Sequence, residues 1–482
     1  MNVLKSLEPA PVFEHFEAIC GIPHGSRNMK AVSDYCVGIA QKLGLRYRQD
    51  ESNNVIIWKP GTPGYENAAP VMLQGHLDMV CEKEADCDLD MEREGLRLRL
   101  EDGILSADGT TLGGDDGIAV AYALALLEST DIPHPPLEVV LTVDEEIGML
   151  GAEALDMSDL QSRIMLNLDS EQEGELLVSC AGGLTAVCHV PVERESAQGT
   201  GFWLELCGCT GGHSGAEIHR GSANASVLLG RCLYRLGRQV PFALASVAGG
   251  DKDNAIPRAA RAALVLPVDG DRFALEAAVK DMERTLRAEY AATDPDLTLT
   301  LTERENDAPA MTQQSARRVV TALMNLPAGV QRMSPSVAGM VQTSLNLGIL
   351  RTFDGDVSLS YCVRSSEESE KWALTDQLTC LTEELGGRVD VSGSYPGWAY
   401  REDSPLRETM VRVYERLYGE KPLVRGMHAG VECGLFASRL PGLDCVSFGP
   451  DMEDIHTPRE RLSTASAART WEFTIAVLKE LK

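Results

Sequence analysis

The chain has 482 residues, with 44 Lys and Arg against 72 Asp and Glu, which gives a formal net charge of -28. At about 150 residues per domain, this length predicts two to three domains with a sizeable core. The acidic balance argues against general binding to a nucleic-acid backbone, and the 44% hydrophobic content argues against disorder. The 13 scattered cysteines include no CxxC pair, so they indicate mostly buried thiols in a reducing compartment.

The sequence also lacks the patterns of exported and membrane-spanning proteins. Lys5 and Glu8 interrupt the start of the chain, where a signal peptide would need an apolar stretch. The longest obvious apolar run covers 118–127, which is shorter than the roughly 20 residues that cross a bilayer. We therefore predict a cytoplasmic protein that binds neither membranes nor nucleic acid.

The first 180 or so residues alternate helical and strand-like patterns, which is typical of a layered α/β domain. Helical patterns cover 13–20, 29–43 and 118–128. Strand-like patterns cover 54–58, 71–73, 137–143 and 164–168. The last three are short apolar runs of the kind found in parallel strands that are buried on both faces.

The pattern changes after residue 183. Strands are predicted over 184–192, 201–209, 260–268 and 297–302, with helices over 224–236 and 275–286. A helix over 316–326 then leads to strands at 343–350, 356–363 and 388–392 and to a helix at 371–385. Two similar rounds of strands and helices predict an α+β insertion and indicate a duplication, although no residue-level repeat accompanies it.

The α/β character returns after residue 397. Helices are predicted over 406–418, 432–438 and 464–481, with a strand over 444–448. We therefore predict a three-layer αβα catalytic domain with a largely parallel, mixed sheet, formed by residues 1–183 and 397–482. The α+β insertion, residues 184–396, is predicted to be a lid.

Polar residues follow the ends of four predicted strands in the catalytic domain. They are His76 and Asp78, Glu145 and Glu146, Asp169, and His456. Ligands gather outside the carboxyl ends of strands in open α/β sheets, and mixed imidazole and carboxylate donors suit a divalent metal such as zinc. Each cluster alone could be a surface pair or a helix-start acid group. Four such clusters in one domain favour a bound cation, because unpaired acids would repel one another.

The spacing suggests a division of work within two of these clusters. His76 and Asp78 lie two residues apart, so in extended backbone they face the same side, and one can bind metal while the other orients or polarises the ligand. Glu145 and Glu146 are adjacent and point differently. One can bind metal while the other accepts a proton from the attacking water.

The sequence resembles the di-zinc aminopeptidase and carboxypeptidase clan, which includes peptidase T, carboxypeptidase G and the acetylornithine deacetylases. The matching segments, in the family order, are LQGHLDMVCEK (73–83), ADGTTLGGDDGIAVA (107–121), LTVDEEIGMLGA (141–152), LNLDSE (166–171), GGHSGAEIHRGSANA (211–225), DNAIP (253–257) and DIHTP (454–458). Together they extend over essentially the whole chain. Within the clan, the chain most closely resembles the aminoacyl-histidine dipeptidases, also called Xaa-His dipeptidases or bacterial carnosinases.

The resemblance implies two divalent metal ions, with zinc as the first choice and cobalt or manganese as alternatives. It implies that His76 and Asp169 bind one ion and that Glu146 and His456 bind the other. Asp115 would bridge the two ions. The clan usually has x-Lys after this aspartate, whereas Asp116-Gly117 follows here, which favours the dipeptidase branch over the deacylases.

The resemblance also implies roles for residues that do not bind metal. Asp78 would orient the His76 ring, Glu145 would be the general base, and His213 would polarise the scissile carbonyl. Because His213 falls in the predicted lid, closure of the lid is expected to complete the site. The residues implied to bind substrate are Asn254, Arg364, Gly430 and Glu432.

The function that the resemblance implies is metal-dependent hydrolysis of Xaa-His and related dipeptides, including β-Ala-His, with a small dipeptide as the partner. An N-acyl amino acid deacylase of the same clan is the alternative. A non-catalytic metal-binding protein is a more remote one, and the presence of Glu145 beside Glu146 speaks against it. A homodimer remains open, because relatives pair through their lids and an enlarged lid could replace the partner subunit.

Overall fold

The computed structural model describes residues 3–482, which form two compact units. The first unit contains the chain up to Ser179, together with Tyr400–Gly426 and Val431–Lys482. The second unit contains Cys180–Ala399 and Met427–Gly430. Each unit has its own sheet and its own set of helices.

The helices of the described residues begin at polar caps in several places. Side chains at five N-termini accept hydrogen bonds from backbone N–H groups that have no partner inside the helix: Asn224, Asp271, Thr312, Ser404 and Ser463. In chain order the helices are α1 (Ala10–Cys20), α2 (Lys30–Leu43), α3 (Gly114–Glu128), α4 (Leu150–Ala154), α5 (Ala225–Gly237), α6 (Arg272–Glu289), α7 (Gln313–Asn325), α8 (Glu368–Glu384), α9 (Pro405–Tyr418), α10 (Cys433–Arg439) and α11 (Thr464–Glu480).

The strands are numbered in the same way. In the first part of the chain they are β1 (Arg46–Gln49), β2 (Val55–Lys59), β3 (Val71–His76), β4 (Leu98–Glu101), β5 (Ile104–Ala107), β6 (Leu137–Thr142), β7 (Ile164–Asn167) and β8 (Glu175–Cys180). Next come β9 (Gly182–Pro191), β10 (Arg194–Glu195), β11 (Gly199–Cys207), β12 (Ala243–Gly249), β13 (Ala260–Pro267), β14 (Thr298–Arg304), β15 (Ala310–Met311), β16 (Gly329–Met333), β17 (Val341–Thr352), β18 (Asp356–Ser365) and β19 (Arg388–Tyr395). The last are β20 (Leu423–Met427), β21 (Asp444–Ser447), β22 (Met452–Glu453) and β23 (Arg461–Ser463).

The main sheet of the first unit has the order β1-β2-β6-β3-β7-β21-β8-β20. Its centre, β6-β3-β7-β21, is parallel, whereas β1, β2 and β8 pair antiparallel with their neighbours. The four central strands are almost entirely buried, as expected for parallel strands covered on both faces. Their shared direction brings their carboxyl ends to one edge of the sheet. The predicted α/β class with a mixed sheet is confirmed.

The sheet of the second unit has the order β14-β11-β13-β12-β17-β18-β9-β19, with β16 paired to β17. It consists of two halves with the same element order, strand-helix-strand-strand-helix-strand. One half is β11-α5-β12-β13-α6-β14, and the other is β9-α7-β17-β18-α8-β19. In the sequence, the half that runs from β11 to β14 is therefore inserted between β9 and α7 of the other half. The halves meet where β12 pairs with β17.

Two further sequence features have a structural counterpart. Among residues 3–482, no helix is both long and apolar enough to cross a membrane. The cysteines in this part of the chain form no disulfide, and most of them are buried. A buried thiol behaves as a small apolar group, so these residues contribute to packing.

Candidate metal centre

The parallel strands of the first unit bring the predicted metal-binding residues together at one sheet edge. His76 is the last residue of β3, while β6 ends three residues before Glu145 and β7 ends two residues before Asp169. Among the described residues, side-chain donors approach closely enough to hold a metal ion in three groups: His76, Asp116 and Asp169; His76, Glu145 and Glu146; and Asp115, Glu146 and His456.

His76 forms the buried end of the centre and is only 1% exposed. Its Nδ1 lies 2.9 Å from the backbone oxygen of Asp78 and can donate to it, which leaves Nε2 as the metal-facing atom. Nε2 lies 3.0 Å from Asp115 Oδ1 and 3.7 Å from Asp169 Oδ1. Burial lowers the pKa of His76, but Asp115, Asp78 and Asp169 raise it by more, so the net pKa is well above its usual value.

His456 faces the other side of the Asp115 carboxylate. Its Nε2 lies 3.2 Å from Asp115 Oδ2 and 3.0 Å from Glu146 Oε1. Hydrogen bonding to Asp115, then to Glu146, raises the pKa of His456 to about 10. Glu146 Oε1 is buried, and His456 is the group that faces it. A positive charge between these groups would satisfy all of them, so this donor set fits a metal ion.

The carboxylates around the two histidines are crowded. Burial, together with the neighbouring acids, raises the pKa values of Asp116 and Asp169 well above the usual range. Burial also raises the pKa of Glu145 to about 8, with Glu432, Glu146 and Asp115 adding to the effect and His76 opposing it. These acids resist ionisation because they are buried and because other acids lie close by, and a bound cation would favour their charged forms. The residues present therefore fit a centre for divalent metal ions.

Asp78 connects the His76 side of the centre with the segment that contains Glu145 and Glu146. Its Oδ1 accepts the backbone N–H of Glu145 at 3.0 Å, and its Oδ2 accepts that of Glu146 at 3.3 Å. Ser26 Oγ donates to Oδ2 at 2.8 Å. Burial raises the pKa of Asp78, but His76 and these hydrogen bonds lower it by more. The carboxylate therefore stays ionised and positions both glutamates.

Two residues at this centre were not recognised as functional from the sequence. Asp116 Oδ2 accepts the backbone N–H of His76 at 3.0 Å, and any side chain at Gly75 would collide with that oxygen. Glu460 accepts the backbone N–H groups of Leu112, Gly113 and Gly114 at 2.7–3.0 Å. It therefore fixes the loop before Asp115. The sequence signal for Asp116 was its position next to Asp115, but Glu460 had none.

Glu432, predicted to bind substrate, lies inside the first unit and is 0% exposed. Its Oε2 accepts hydrogen bonds from Thr142 Oγ1 at 2.7 Å and from Gln74 Nε2. Gln74 Oε1 in turn accepts from Asn167 Nδ2. This Glu432 network, formed by Gln74, Thr142, Asn167 and Glu432, joins β3, β6 and β7 just before the residues of the metal centre.

His213 lies in the second unit. Its Nδ1 accepts the backbone N–H groups of Gly215 at 3.2 Å and Ala216 at 3.0 Å, which leaves the ring proton on Nε2. Burial, then the positive charge of Arg364, lowers the pKa of His213. The neutral ring therefore presents an N–H donor. Asn254, on the adjacent segment, is exposed, and its backbone oxygen accepts from Ser214.

Arg364 is also in the second unit and is 7% exposed. Its Nη1 donates to Tyr395 Oη at 3.1 Å, and its buried Nε has no hydrogen-bond partner. No carboxylate within residues 3–482 pairs with it, so a carboxylate from a ligand could. Burial, then Arg364, lowers the pKa of neighbouring His428 to about 3. Gly430 lies two residues further along and is half-buried.

Comparisons with known proteins show which proteins this chain is similar to. A family model described as "Peptidase family M20/M25/M40" matches residues 72–480. The chain is 37% identical to the cytosol non-specific dipeptidase of Escherichia coli (strain K12), and the match covers 100% of this chain and 99% of that protein. The crystal structure of aminoacylhistidine dipeptidase from Vibrio alginolyticus has a TM-score of 0.95 and 38% identity, covering 99% of this chain and 98% of that chain. The aminopeptidase PepT from Bacillus cereus shares the fold, with a TM-score of 0.56 and 16% identity over 98% of this chain and 99% of that chain. The resemblance inferred from the motifs is confirmed.

The Glu432 network predicts a measurable loss of stability when its acceptor is removed. Glu432→Ala removes the shared acceptor of the Gln74 and Thr142 donors and leaves them only longer bonds, to Thr142 Oγ1 and to the backbone oxygen of Gly75, both at 3.3 Å. This loss should cost about 1–3 kcal/mol in the free energy of unfolding. Glu432→Gln keeps an acceptor oxygen and should cost less. Urea unfolding of the original chain and of the two variants measures the difference. The urea midpoints can be compared directly if the free energy of unfolding falls with urea at the same slope in all three. An alanine variant as stable as the original chain would contradict the importance of the network.

Proposed function

Because the chain belongs to peptidase family M20/M25/M40, we propose that it is a metal-dependent dipeptidase acting on Xaa-His and related dipeptides, including β-Ala-His. The observation on which the proposal depends is the Asp115 carboxylate, whose two oxygens face His76 and His456. The two dipeptidases named above, similar over their full lengths, support the substrate class. The relative from E. coli is a cytosol enzyme by name, which supports action in the cytoplasm.

The proposed cofactor is a pair of divalent metal ions, with zinc as the first choice and cobalt or manganese as alternatives. His76 and Asp169 would hold one ion, Glu146 and His456 the other, and Asp115 would contact both. When bound, such ions supply Lewis acidity and lower the pKa of water. Asp116 lies close to His76 and Asp169. Its carboxylate would support His76 by accepting the hydrogen bond from the His76 backbone N–H.

Glu145 is the proposed general base. Asp78 fixes its backbone, and its carboxylate lies close to His76 and Glu146. With Glu146 as the proposed ligand, the Glu145 carboxylate would be left for proton transfer. It would accept a proton from the attacking water and deliver it to the amine of the leaving residue. Burial raises the pKa of Glu145 to about 8, which supports a role in accepting a proton and passing it on.

The residues of the second unit are proposed to act on the substrate rather than on the metals. His213 would donate its Nε2 proton to the scissile carbonyl oxygen as negative charge develops there. Arg364 would bind the terminal carboxylate of the dipeptide, with Asn254 and Gly430 contacting its backbone. For Glu432 we propose a supporting role in the network under the centre, because its carboxylate is already used by Gln74 and Thr142.

The substrate class can be tested with a panel of compounds. We expect Gly-His and β-Ala-His to be hydrolysed and N-acetyl amino acids to be cleaved at least about tenfold more slowly, because a site that hydrogen-bonds the free amino group of a dipeptide discriminates against a compound that lacks this group. Chromatography measures the rate at which free histidine or the deacylated amino acid is released. These rates give kcat/KM for each compound. A preference for the N-acetyl compounds would replace the dipeptidase proposal with the deacylase alternative.

The role of Glu145 predicts a defect in turnover without loss of metal. Glu145→Gln should retain the metal content of the original chain and lose at least ~10²-fold in kcat, the range expected for a general base. Exposed Glu153 on α4 offers a matched control, and Glu153→Gln should keep normal kcat. Steady-state kinetics with parallel metal analysis separates the outcomes. Near-normal turnover by Glu145→Gln would rule out this residue as the base.

A further inference from the structure

Three neighbouring strands of the second unit place a glycine between an arginine and a tyrosine. β9 lies between β18 and β19 in the sheet. Gly183 of β9 lies opposite Arg364 of β18 on one side and opposite Tyr395 of β19 on the other. Residues that lie opposite one another on adjacent strands face the same side of the sheet. The arginine and the tyrosine therefore share one face, with no side chain between them.

The lack of a side chain at Gly183 lets the tyrosine reach the arginine across β9. A Cβ atom at Gly183 would lie 2.6 Å from Tyr395 Oη and 2.8 Å from Tyr395 Cζ, so the ring occupies the space that a side chain would need. In this position Tyr395 Oη accepts a hydrogen bond from Arg364 Nη1 at 3.1 Å. A glycine inside a strand often marks such a close approach, and here the contact requires it.

A bulge in β19 brings Tyr395 to this position. Ser392 lies opposite Thr185 and Tyr395 lies opposite Gly183, so β19 advances three residues where β9 advances two. Gly393, within this stretch, has a φ of 60°, which glycine adopts readily and which such bulges use. Without the extra residue, the serine before Tyr395 would lie opposite Gly183, and the tyrosine would point to the other face.

A buried lysine holds the bulge in place. Lys371 of α8 is 0% exposed. Its Nζ donates to the backbone oxygen of Tyr395 at 2.7 Å and to Ser394 Oγ at 3.3 Å, and it lies 2.9 Å from Glu368 Oε2. A buried ammonium is costly unless its donors are satisfied. Because part of that requirement is met by the bulge itself, Lys371 fixes the backbone that carries Tyr395.

The tyrosine hydroxyl orients the guanidinium without neutralising it. Burial raises the pKa of Tyr395 above its ordinary value, although Arg364 opposes the effect, so the hydroxyl stays uncharged. A carboxylate in the same place would form an ion pair with Arg364 and would compete with an anionic ligand. An uncharged acceptor instead leaves the positive charge of Arg364 available.

We propose that Tyr395 is a positioning residue that orients the Arg364 guanidinium toward the terminal carboxylate of the dipeptide. The inference rests on the proposed function, in which Arg364 binds that carboxylate, and every contact that supports it lies within the second unit. The tyrosine hydroxyl holds Nη1, while the buried Nε of Arg364 has no hydrogen-bond partner and is left for the ligand.

Removal of the hydroxyl tests the proposal through a split between KM and kcat. Tyr395→Phe keeps the ring and loses the acceptor of Arg364. It should raise KM for Gly-His at least about fivefold and leave kcat within about twofold, because the interaction is made equally in the bound substrate and in the transition state. Gly-His amide has no terminal carboxylate, so its kcat/KM should change less than about twofold. A merely structural role would affect both compounds alike.

The second unit offers a matched control for this variant. Tyr234 of α5 is exposed, and its hydroxyl accepts a hydrogen bond from Arg238 Nη1 at 3.3 Å. Tyr234→Phe therefore removes the same kind of contact at the surface. It should change neither KM nor kcat for Gly-His or for its amide.

A binding measurement keeps this result separate from the proposed function. Calorimetric titration of the Glu145→Gln chain with Gly-His and with Gly-His amide needs no turnover, and adding Tyr395→Phe should weaken binding of Gly-His more than that of the amide. If the original chain hydrolyses no dipeptide but this binding difference appears, the function fails and the positioning role stands. If Tyr395→Phe leaves KM and binding of Gly-His unchanged, or weakens binding of Gly-His and its amide equally, Tyr395 does not position Arg364 for a carboxylate.

Discussion

The structure of the centre depends on one carboxylate that faces two histidines. Asp115 Oδ1 lies 3.0 Å from His76 Nε2, and Oδ2 lies 3.2 Å from His456 Nε2. Burial raises the pKa of Asp115, but hydrogen bonding to the two histidines lowers it by more. A carboxylate that stays ionised between two ligand sets can serve both, and the other acids of the centre are arranged around it. Each set taken alone would be an ordinary His–acid pair.

Several buried hydrogen-bond networks hold this arrangement in place, and each connects segments that are distant in the sequence. Glu460 binds the backbone before Asp115, Asp78 binds the backbone of both glutamates, and Glu432 joins the strands that end at the centre. Buried carboxylates are costly unless backbone N–H groups or side-chain donors satisfy them. Their cost is offset here by those donors, and the donors hold the residues of the centre in place.

Much of the first unit could be predicted from its sequence, because parallel strands covered on both faces appear as continuous apolar runs. That pattern located β3, β6 and β7 within a few residues, and the shared direction of such strands predicted that His76, Glu145 and Asp169 lie close together. The strands that were missed, such as β1 and β4, are short and partly exposed. They have no apolar run to reveal them, and only pairing with a neighbour defines them.

The supporting residues could not be found in this way. Gln74 and Thr142 are isolated polar residues in largely apolar strands. Glu460 lies in a loop with no motif. Their function exists only through partners far away in the chain, which no local pattern encodes. Glu432 illustrates the same limit, since its motif indicated a substrate loop whereas its carboxylate points into the protein and bonds to Gln74 and Thr142. The roles of the ligand residues themselves came from the family resemblance, not from spacing.

The measurement that tests this account most directly is metal content and dipeptide hydrolysis of the same sample, before and after thorough chelation and after add-back of individual metals. The account predicts two ions per chain, loss of Gly-His hydrolysis on chelation, and recovery with zinc, cobalt or manganese. It also predicts that Asp115→Asn, which replaces the carboxylate between the two ligand sets with a neutral amide, impairs retention of both ions. Hydrolysis that is indifferent to chelation would contradict the central claim.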